Sequence, residues 1–163
     1  MVQGLLVWLG CGALVVIIAL AFWWRVMLKK KHADNIKFEA DIFDFHVDYY
    51  GARSGWHGTF WDGEILKNAL LNLKENEIKK RDVVCVFSSE MKDGFWQATP
   101  MRLSQLGAGK VVATGKKTNG LWKCIYPNEY GIALIGWIRT SKELQANKKY
   151  AVVQKEKNYF ELL

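Results

Sequence analysis

The sequence predicts an α+β protein: a single N-terminal transmembrane helix followed by a small antiparallel-sheet or barrel-like domain with one amphipathic helix. Three observations lead to this fold class: an uncharged apolar run near the N-terminus, one aliphatic stripe at helical spacing, and several short apolar runs separated by turn residues. The chain of 163 residues is long enough for one domain beside the anchor. We expect a transmembrane anchor over residues 1–28 with its span at about 4–24, a basic stalk over 29–36, and a soluble domain over 37–163.

The apolar run over residues 4–24 contains no charged side chain. A helix of this length rises about 31 Å at 1.5 Å per residue, which matches the hydrocarbon thickness of a bilayer. Tryptophan near both ends and basic residues directly after the run are typical of membrane interfaces. The predicted interface residues are Trp8, Trp23, Trp24, Arg25, Lys29, Lys30 and Lys31.

The basic residues after the run also predict an orientation. Because positive charge stays inside, we expect the N-terminus outside and the C-terminal domain on the cytoplasmic, matrix or stromal side. The expected location is a bacterial inner membrane or an organellar inner membrane, in contact with the lipid bilayer. A cleaved signal peptide is the alternative, but no basic side chain precedes the run and lysines follow it.

The charge pattern of the sequence argues against a nucleic acid partner. The net charge of +7 comes from 23 basic and 16 acidic residues, and residues 33–163 hold 19 basic and 16 acidic side chains with the signs interspersed. A nucleic-acid-binding domain usually concentrates its basic residues on one face. We therefore expect no nucleic acid partner.

The soluble part begins with a strand, because polar and apolar residues alternate strictly over residues 43–49. Asp62 is the predicted N-cap of the amphipathic helix. Several short strands follow, with hairpins turning at Asp93-Gly94, at Asn119-Gly120 and near residue 157. The predicted helical stripe consists of Ile65, Leu66, Ala69, Leu70 and Leu73, and the later strands are placed at residues 83–87, 95–99, 111–114, 121–126, 130–138, 150–153 and 159–162.

Few residues suggest chemistry. His46 lies between Asp44 and Asp48, which could hold a divalent ion, but a solvated polar face explains the pattern better. The sequence GAGK at 107–110 lacks the first glycine and the Ser or Thr of a phosphate-binding loop. Ser54 misses the spacing of a nucleophile elbow, and the scattered cysteines, Cys11, Cys85 and Cys124, resemble core residues more than a disulfide framework. We expect no catalytic residue, metal, cofactor or small-molecule substrate.

The stretch GARSGWHGTFWDGE at 51–64 is the predicted contact site. Its composition indicates a flexible loop between a strand and a helix, and such loops commonly carry contacts. Trp and Arg are enriched among the residues that anchor protein interfaces. The predicted partner-binding residues are Arg53, Trp56, His57 and Trp61.

Together these features predict a single-pass, membrane-anchored accessory subunit or assembly factor of a larger membrane protein complex. It would act through protein–protein contacts with the other subunits. Two alternatives remain open. One is a membrane-tethered enzyme of unrecognised type, and the other is a lipid-sensing adaptor whose lysines at 29–31 attract an anionic leaflet.

Overall fold

The computed structural model describes residues 41–92 and 94–163, together with residues 20 and 23. Residues 36–163 belong to one compact unit. The described residues of this unit form ten strands and no helix, so the predicted α+β fold class is wrong and the domain is all-β. The strands are β1 Ile42–Gly51, β2 Gly55–Trp61, β3 Leu66–Leu71, β4 Val83–Lys92, β5 Phe95–Pro100, β6 Lys110–Thr118, β7 Leu121–Pro127, β8 Ala133–Arg139, β9 Lys149–Glu156 and β10 Tyr159–Leu162.

The first five strands close into a barrel. β1 pairs with β2, β2 with β3, and β3 lies parallel to β5. β5 pairs with β4, and β4 returns to β1 to close the barrel. The order β1-β2-β3-β5-β4-β1 is that of the five-stranded Greek-key barrel known as the oligonucleotide/oligosaccharide-binding (OB) fold.

The last five strands repeat this path. β6 pairs with β7, β7 with β8, and β8 lies parallel to β10. β10 pairs with β9, and β9 returns to β6. The described domain is therefore a tandem of two OB barrels, although the sequence shows no visible internal repeat.

Three apolar cores hold this arrangement together. Phe45, Phe60 and Leu71 lie inside the first barrel, and Trp122 and Phe160 lie inside the second. A third core lies between the barrels, where side chains on the outside of β4 pack against β6, β7 and β8. Its buried members are Cys85, Met101, Leu103, Leu106, Val112, Ile125, Ala133 and Ile135.

Besides the pair of Arg102, directly after β5, with Glu77, two ion pairs between described residues cross the same boundary. Lys123 on β7 pairs with Asp44 on β1. Lys157 Nζ, in the β9–β10 turn, lies 2.9 Å from Oδ1 of Asp82, whose side chain is only 5% exposed. In both pairs the first barrel supplies the acid and the second supplies the base, so charge as well as apolar burial joins the barrels.

The strand predicted over residues 43–49 and the three predicted hairpins are confirmed. At the β6–β7 turn Asn119 and Gly120 both have positive φ, 50° and 79°. A type I′ turn requires this combination, which explains why the Asn-Gly signal is reliable. The strand predicted over 130–138 is also present, beginning later, as β8.

The predicted amphipathic helix after Asp62 is wrong, because residues 66–71 form β3. Asp62 caps a turn instead of a helix: its Oδ1 accepts hydrogen bonds from the backbone N–H groups of Glu64 and Ile65, each at 2.9 Å. Ala69 and Leu71 are buried at every second residue, while Ile65 is exposed. The aliphatic positions partly fit the helical period of 3.6 residues and partly fit the strand period of two residues. Pairing with β2 and β5 favours the strand.

The predicted transmembrane span lies outside the described residues, except for Leu20 and Trp23, whose side chains are each 57% exposed. In the part of the chain that the structure describes, no helix has both the length and the apolar character needed to cross a bilayer. The single-pass anchor, and the inner-membrane location inferred from it, are therefore not supported. The predicted stalk and the interface residues Trp8, Trp24, Arg25, Lys29, Lys30 and Lys31 also lie outside the described residues.

Candidate functional site

The glycine-rich stretch at 51–64 is not a flexible loop between a strand and a helix. Its central part is β2, which follows β1 after a tight turn and pairs with it as a hairpin. Side chains of β2 alternate in burial, so that Trp56 and Phe60 face the barrel interior while His57 and Trp61 lie outside. Strand periodicity therefore divides the predicted contact residues between two faces of the sheet.

Trp56 belongs to the core of the first barrel. It is 5% exposed, its ring packs against Tyr50 at 5.3 Å, and its Nε1–H donates to the carbonyl oxygen of Lys74 at 3.2 Å.

Arg53 is exposed in the β1–β2 turn, and Trp61 is 57% exposed at the end of β2. Of the four predicted contact residues, Arg53, His57 and Trp61 thus have accessible side chains.

Three aromatic rings meet on the outside of the first barrel. Tyr49 and His57 are opposite each other on β1 and β2, and their rings stack with centroids 4.4 Å apart and planes 10° apart. The ring of Phe95, at the start of β5, forms a T-shaped contact with His57, with centroids 5.9 Å apart and planes at 89°. Tyr49 is 56% exposed and Phe95 is 38% exposed. We call Tyr49, His57 and Phe95 the aromatic platform.

An irregularity in β1 places Tyr49 in the platform. The β1–β2 register shifts between Val47 and Tyr49, as at a β-bulge. Val47 is buried in the barrel core, whereas Tyr49, two residues later, is exposed. Because a bulge redirects the side chains that follow it, Tyr49 leaves the inward-facing set of the strand and reaches His57.

The β1–β2 turn fixes the orientation of His57. Ser54 Oγ lies 2.6 Å from His57 Nε2, a hydrogen-bond distance. The turn itself is closed by the Ser54 N–H, which donates to the Gly51 carbonyl at 3.1 Å. A Cβ at residue 51 would lie only 3.2 Å from His57 Nε2 and would collide with Ser54 Oγ, so glycine at this position leaves room for the pair.

The Ser54–His57 pair has the distance of a nucleophile and its base. The pair nevertheless lies on an open face, since Ser54 and Tyr49 are both exposed. Acyl and phosphoryl transfer rely on donors aimed at the developing charge and on exclusion of water. We therefore assign the hydrogen bond a positioning role, holding the imidazole ring parallel to Tyr49.

A groove of about 540 Å³ adjoins the platform. It shares Ser54 with the β1–β2 turn and includes Leu70, the residue paired with His57 in the β2–β3 ladder. Arg53 and Lys74 line it with exposed cationic side chains, and none of the described residues that line it is acidic. The platform therefore has a cationic border.

The corresponding face of the second barrel is covered. On β7, Ile125 is 2% exposed within the core between the barrels. Its outward-facing neighbour Lys123 pairs with Asp44 of the first barrel. In the described part of the chain, the first barrel thus keeps its β1–β2–β3 face open while the second uses the same face for docking.

The two barrels differ in net charge. Residues 41–101 contain seven basic and ten acidic side chains, a net charge of −3, whereas residues 102–163 contain eleven basic and four acidic, a net charge of +7. The sum over the whole domain conceals this difference. Basic and acidic residues look interspersed along the sequence, but they are divided unevenly between the two barrels.

The other residues that the sequence singles out offer few reactive or metal-binding groups. Burial raises the pKa of the Cys85 and Cys124 thiols to about 12, so both are protonated and unreactive at neutral pH. His46 is exposed beside Asp44, which is already paired with Lys123. Among the described residues no group of three His, Cys, Asp or Glu side chains is placed to hold a metal ion. Residues 107–110 form a turn that enters β6, as predicted for GAGK.

Comparisons with known proteins leave the function open. No protein-family model and no curated protein matches the chain. Among solved structures the chain is similar to one described as "Crystal structure of the tetrameric p202 HIN2", at 7% identity over 78% of this chain and 90% of that chain, with a TM-score of 0.23. A likeness at this TM-score carries no argument about function.

Proposed function

We propose that the first barrel binds single-stranded nucleic acid, with bases stacked on the aromatic platform. The observation that carries the proposal is the exposed stack of Tyr49, His57 and Phe95 on the open face of an OB barrel. OB barrels bind oligonucleotides through this face and the adjoining loops. Stacking of a base on an aromatic side chain contributes about 1–3 kcal/mol and tolerates any base, since every base has a π-face.

The cationic residues beside the aromatic platform also favour a nucleic acid ligand. Arg53 and Lys74 place positive charge in the adjoining groove, where the phosphates of a strand stacked on Tyr49 would pass. A single strand fits better than a duplex, because bases that are already paired and stacked do not present their faces. This proposal departs from the expectation of no nucleic acid, which depended on charges counted along the linear sequence.

The proposal is tested by fluorescence anisotropy with a labelled single-stranded oligonucleotide of about 15 nucleotides, near the upper site size of an OB fold. We expect Tyr49→Ala to weaken binding about 5- to 150-fold, the equivalent of about 1–3 kcal/mol. Trp61→Ala is the matched control, since Trp61 is as exposed as Tyr49 but lies outside the platform. Equal affinity of both variants and the wild type, or no binding by the wild type, would refute the proposal.

A second candidate function is favoured by the β2–β3 turn. Trp61, Ile65 and Leu66 are 57%, 57% and 62% exposed and are close together in sequence. Exposed apolar clusters of this kind mark protein interaction sites. We propose on this basis that the protein also acts as an accessory subunit or assembly factor through protein–protein contacts, using Trp61 and its neighbours.

Co-purification distinguishes this second function from the first. We expect Trp61→Ser combined with Leu66→Ser to lose partners that co-purify with the wild type, while Tyr49→Ala retains them. If the wild type purifies without partners under mild conditions, the contact function is rejected.

A further inference from the structure

We propose that one end of the second barrel binds the phosphate backbone of the same single strand, so that the first barrel stacks bases and the second holds phosphates. This inference rests on the proposed function of the aromatic platform. It assigns a role to the positive charge of the second barrel, which docking between the barrels uses only in part.

Basic side chains converge where the end of β6, the end of β8 and the segment before β9 meet. The two segments concerned, residues 115–121 and 139–149, contain six basic residues and one acidic residue. We call the following five described residues the cationic end: Lys116, Lys117, Arg139, Lys142 and Lys148.

Backbone contacts bring these segments together. Asn147 N–H donates to the Ala113 carbonyl at 2.7 Å, and Ala113 N–H donates to the Lys148 carbonyl at 3.1 Å. A Cβ at Gly115 would lie 2.8 Å from the Cβ of Ala146, so β6 approaches this segment as closely as a glycine allows. The β7–β8 ladder adds the pairing of Leu121 with Arg139. The clustering is therefore a property of the barrel and not of side-chain placement alone.

The cations of this end are unneutralised. None of the five forms an ion pair with any residue that the structure describes, whereas Lys123, Lys155 and Lys157 of the same barrel do. Four of the five are exposed, and Lys148 is half-buried with its Nζ 6.0 Å from the Tyr150 ring centroid. Like charges held this close repel one another, so a polyanion that bridges them is favoured.

A nucleic acid is the anion that fits best, because the cationic end and the platform belong to one unit. The apolar core between the barrels and the Asp44–Lys123 pair connect the two barrels. From Tyr49 to Asp44 the strand β1 covers about 17 Å at 3.4 Å per residue. Lys123 is adjacent to Trp122, which pairs with Lys117 of the cationic end. A single-stranded oligonucleotide of several nucleotides is therefore long enough to extend from the aromatic platform to the lysines of the cationic end.

The test compares two single-stranded oligonucleotides, of about 5 and about 15 nucleotides, which cover the site sizes of an OB fold. The variant carries Lys116→Gln, Lys117→Gln and Lys142→Gln, and the matched control carries Lys79→Gln, Lys80→Gln and Lys110→Gln, three exposed lysines elsewhere. We expect the variant to bind the longer oligonucleotide about tenfold more weakly, with a salt slope shallower by about 0.7 for each phosphate that the variant no longer neutralises. The shorter oligonucleotide and the control variant should show wild-type behaviour.

The possible failures can be distinguished. If the variant keeps the affinity and the salt slope of the wild type while Tyr49→Ala still weakens binding, this inference is overturned and the proposed function stands. If the wild type binds neither oligonucleotide, the proposed function fails, and this inference fails with it. If the variant loses binding to phosphatidylserine–phosphatidylcholine vesicles but not to the oligonucleotide, the cationic end is a lipid surface and the inference is likewise overturned.

Discussion

Tyr49 and His57 stack with ring centroids 4.4 Å apart on the open face of the first barrel, and Ser54 fixes the imidazole ring at 2.6 Å. Offset stacks of aromatic rings are more favourable than the area that they bury suggests. Because more than half of Tyr49 is exposed, its outer face is free to extend the stack with a base. The relationship between these two residues underlies the proposed function.

Tyr49 and Phe95 should act together in binding. Both contact His57, so removal of either ring frees the imidazole to move and weakens the contribution of the other. We expect Tyr49→Ala and Phe95→Ala each to weaken oligonucleotide binding and to be non-additive by about 0.5–3 kcal/mol in a double-mutant cycle. Strict additivity would show that the rings act as independent sites.

The two tryptophans of β2 should differ sharply in their effect on stability. Trp56 is 5% exposed in the core, and Trp61 is 57% exposed. We expect Trp56→Ala to lower the free energy of unfolding by about 3–5 kcal/mol, the usual cost of removing a buried large aromatic ring. Trp61→Ala should change it by less than about 0.5 kcal/mol. Urea unfolding followed by circular dichroism measures both, and equal losses would place both rings in the core.

The core between the barrels should contribute to global stability. Ile135 is 5% exposed there, whereas Ile65, in the β2–β3 turn, is 57% exposed. The same substitution at both sites gives a matched pair. We expect Ile135→Ala to cost about 2–5 kcal/mol and Ile65→Ala less than about 0.5 kcal/mol in the free energy of unfolding. If Ile135→Ala costs no more than Ile65→Ala, the barrels do not rely on this core.

Asp62 should make stability depend on acid pH. The Ile65 backbone N–H, then the Lys67 ammonium group and the Glu64 N–H, hold the pKa of its carboxyl well below the ordinary value. A lowered folded-state pKa stabilises the fold above the unfolded pKa of about 3.9, and this contribution is lost progressively as the pH falls from there through the folded-state pKa. We expect the urea midpoint of the wild type to exceed that of Asp62→Asn by a constant amount from about pH 5 to 7, and this difference to shrink steadily as the pH falls below about 4 towards the folded-state pKa. A constant difference down to pH 2 would contradict this.

Local signals explain which strands could be predicted. The hairpin at Asn119-Gly120 follows from two residues whose φ values suit one turn type. β2 is hidden because glycines interrupt it, although its residues 56–61 alternate in burial. Barrel closure has no local signal at all, since it pairs Ile42 with Phe87 and Lys110 with Ala151. Contacts this far apart in sequence depend on the whole fold.

The candidate site can likewise be predicted only in part from the sequence. The sequence predicts Arg53 and His57 as contact residues, and they lie in the groove and in the platform. Tyr49 and Phe95 are absent from that prediction because they come from two other strands: Tyr49 meets His57 across the β1–β2 hairpin, and Phe95 meets it only when β5 lies beside β3. The outward orientation of the Tyr49 side chain also depends on the register shift in β1. No residue type in the sequence predicts this shift. The segregation of charge likewise becomes visible only when the boundary between the barrels is known.

Photocrosslinking tests the central claim most directly. A single-stranded oligonucleotide that contains thiouracil is irradiated with the full chain, and the crosslinked residues are mapped by mass spectrometry. We predict crosslinks at Tyr49, His57 or Phe95 that unlabelled oligonucleotide suppresses. Crosslinks confined to residues outside the aromatic platform, or no crosslink at concentrations that saturate binding, would contradict the claim that this face stacks bases.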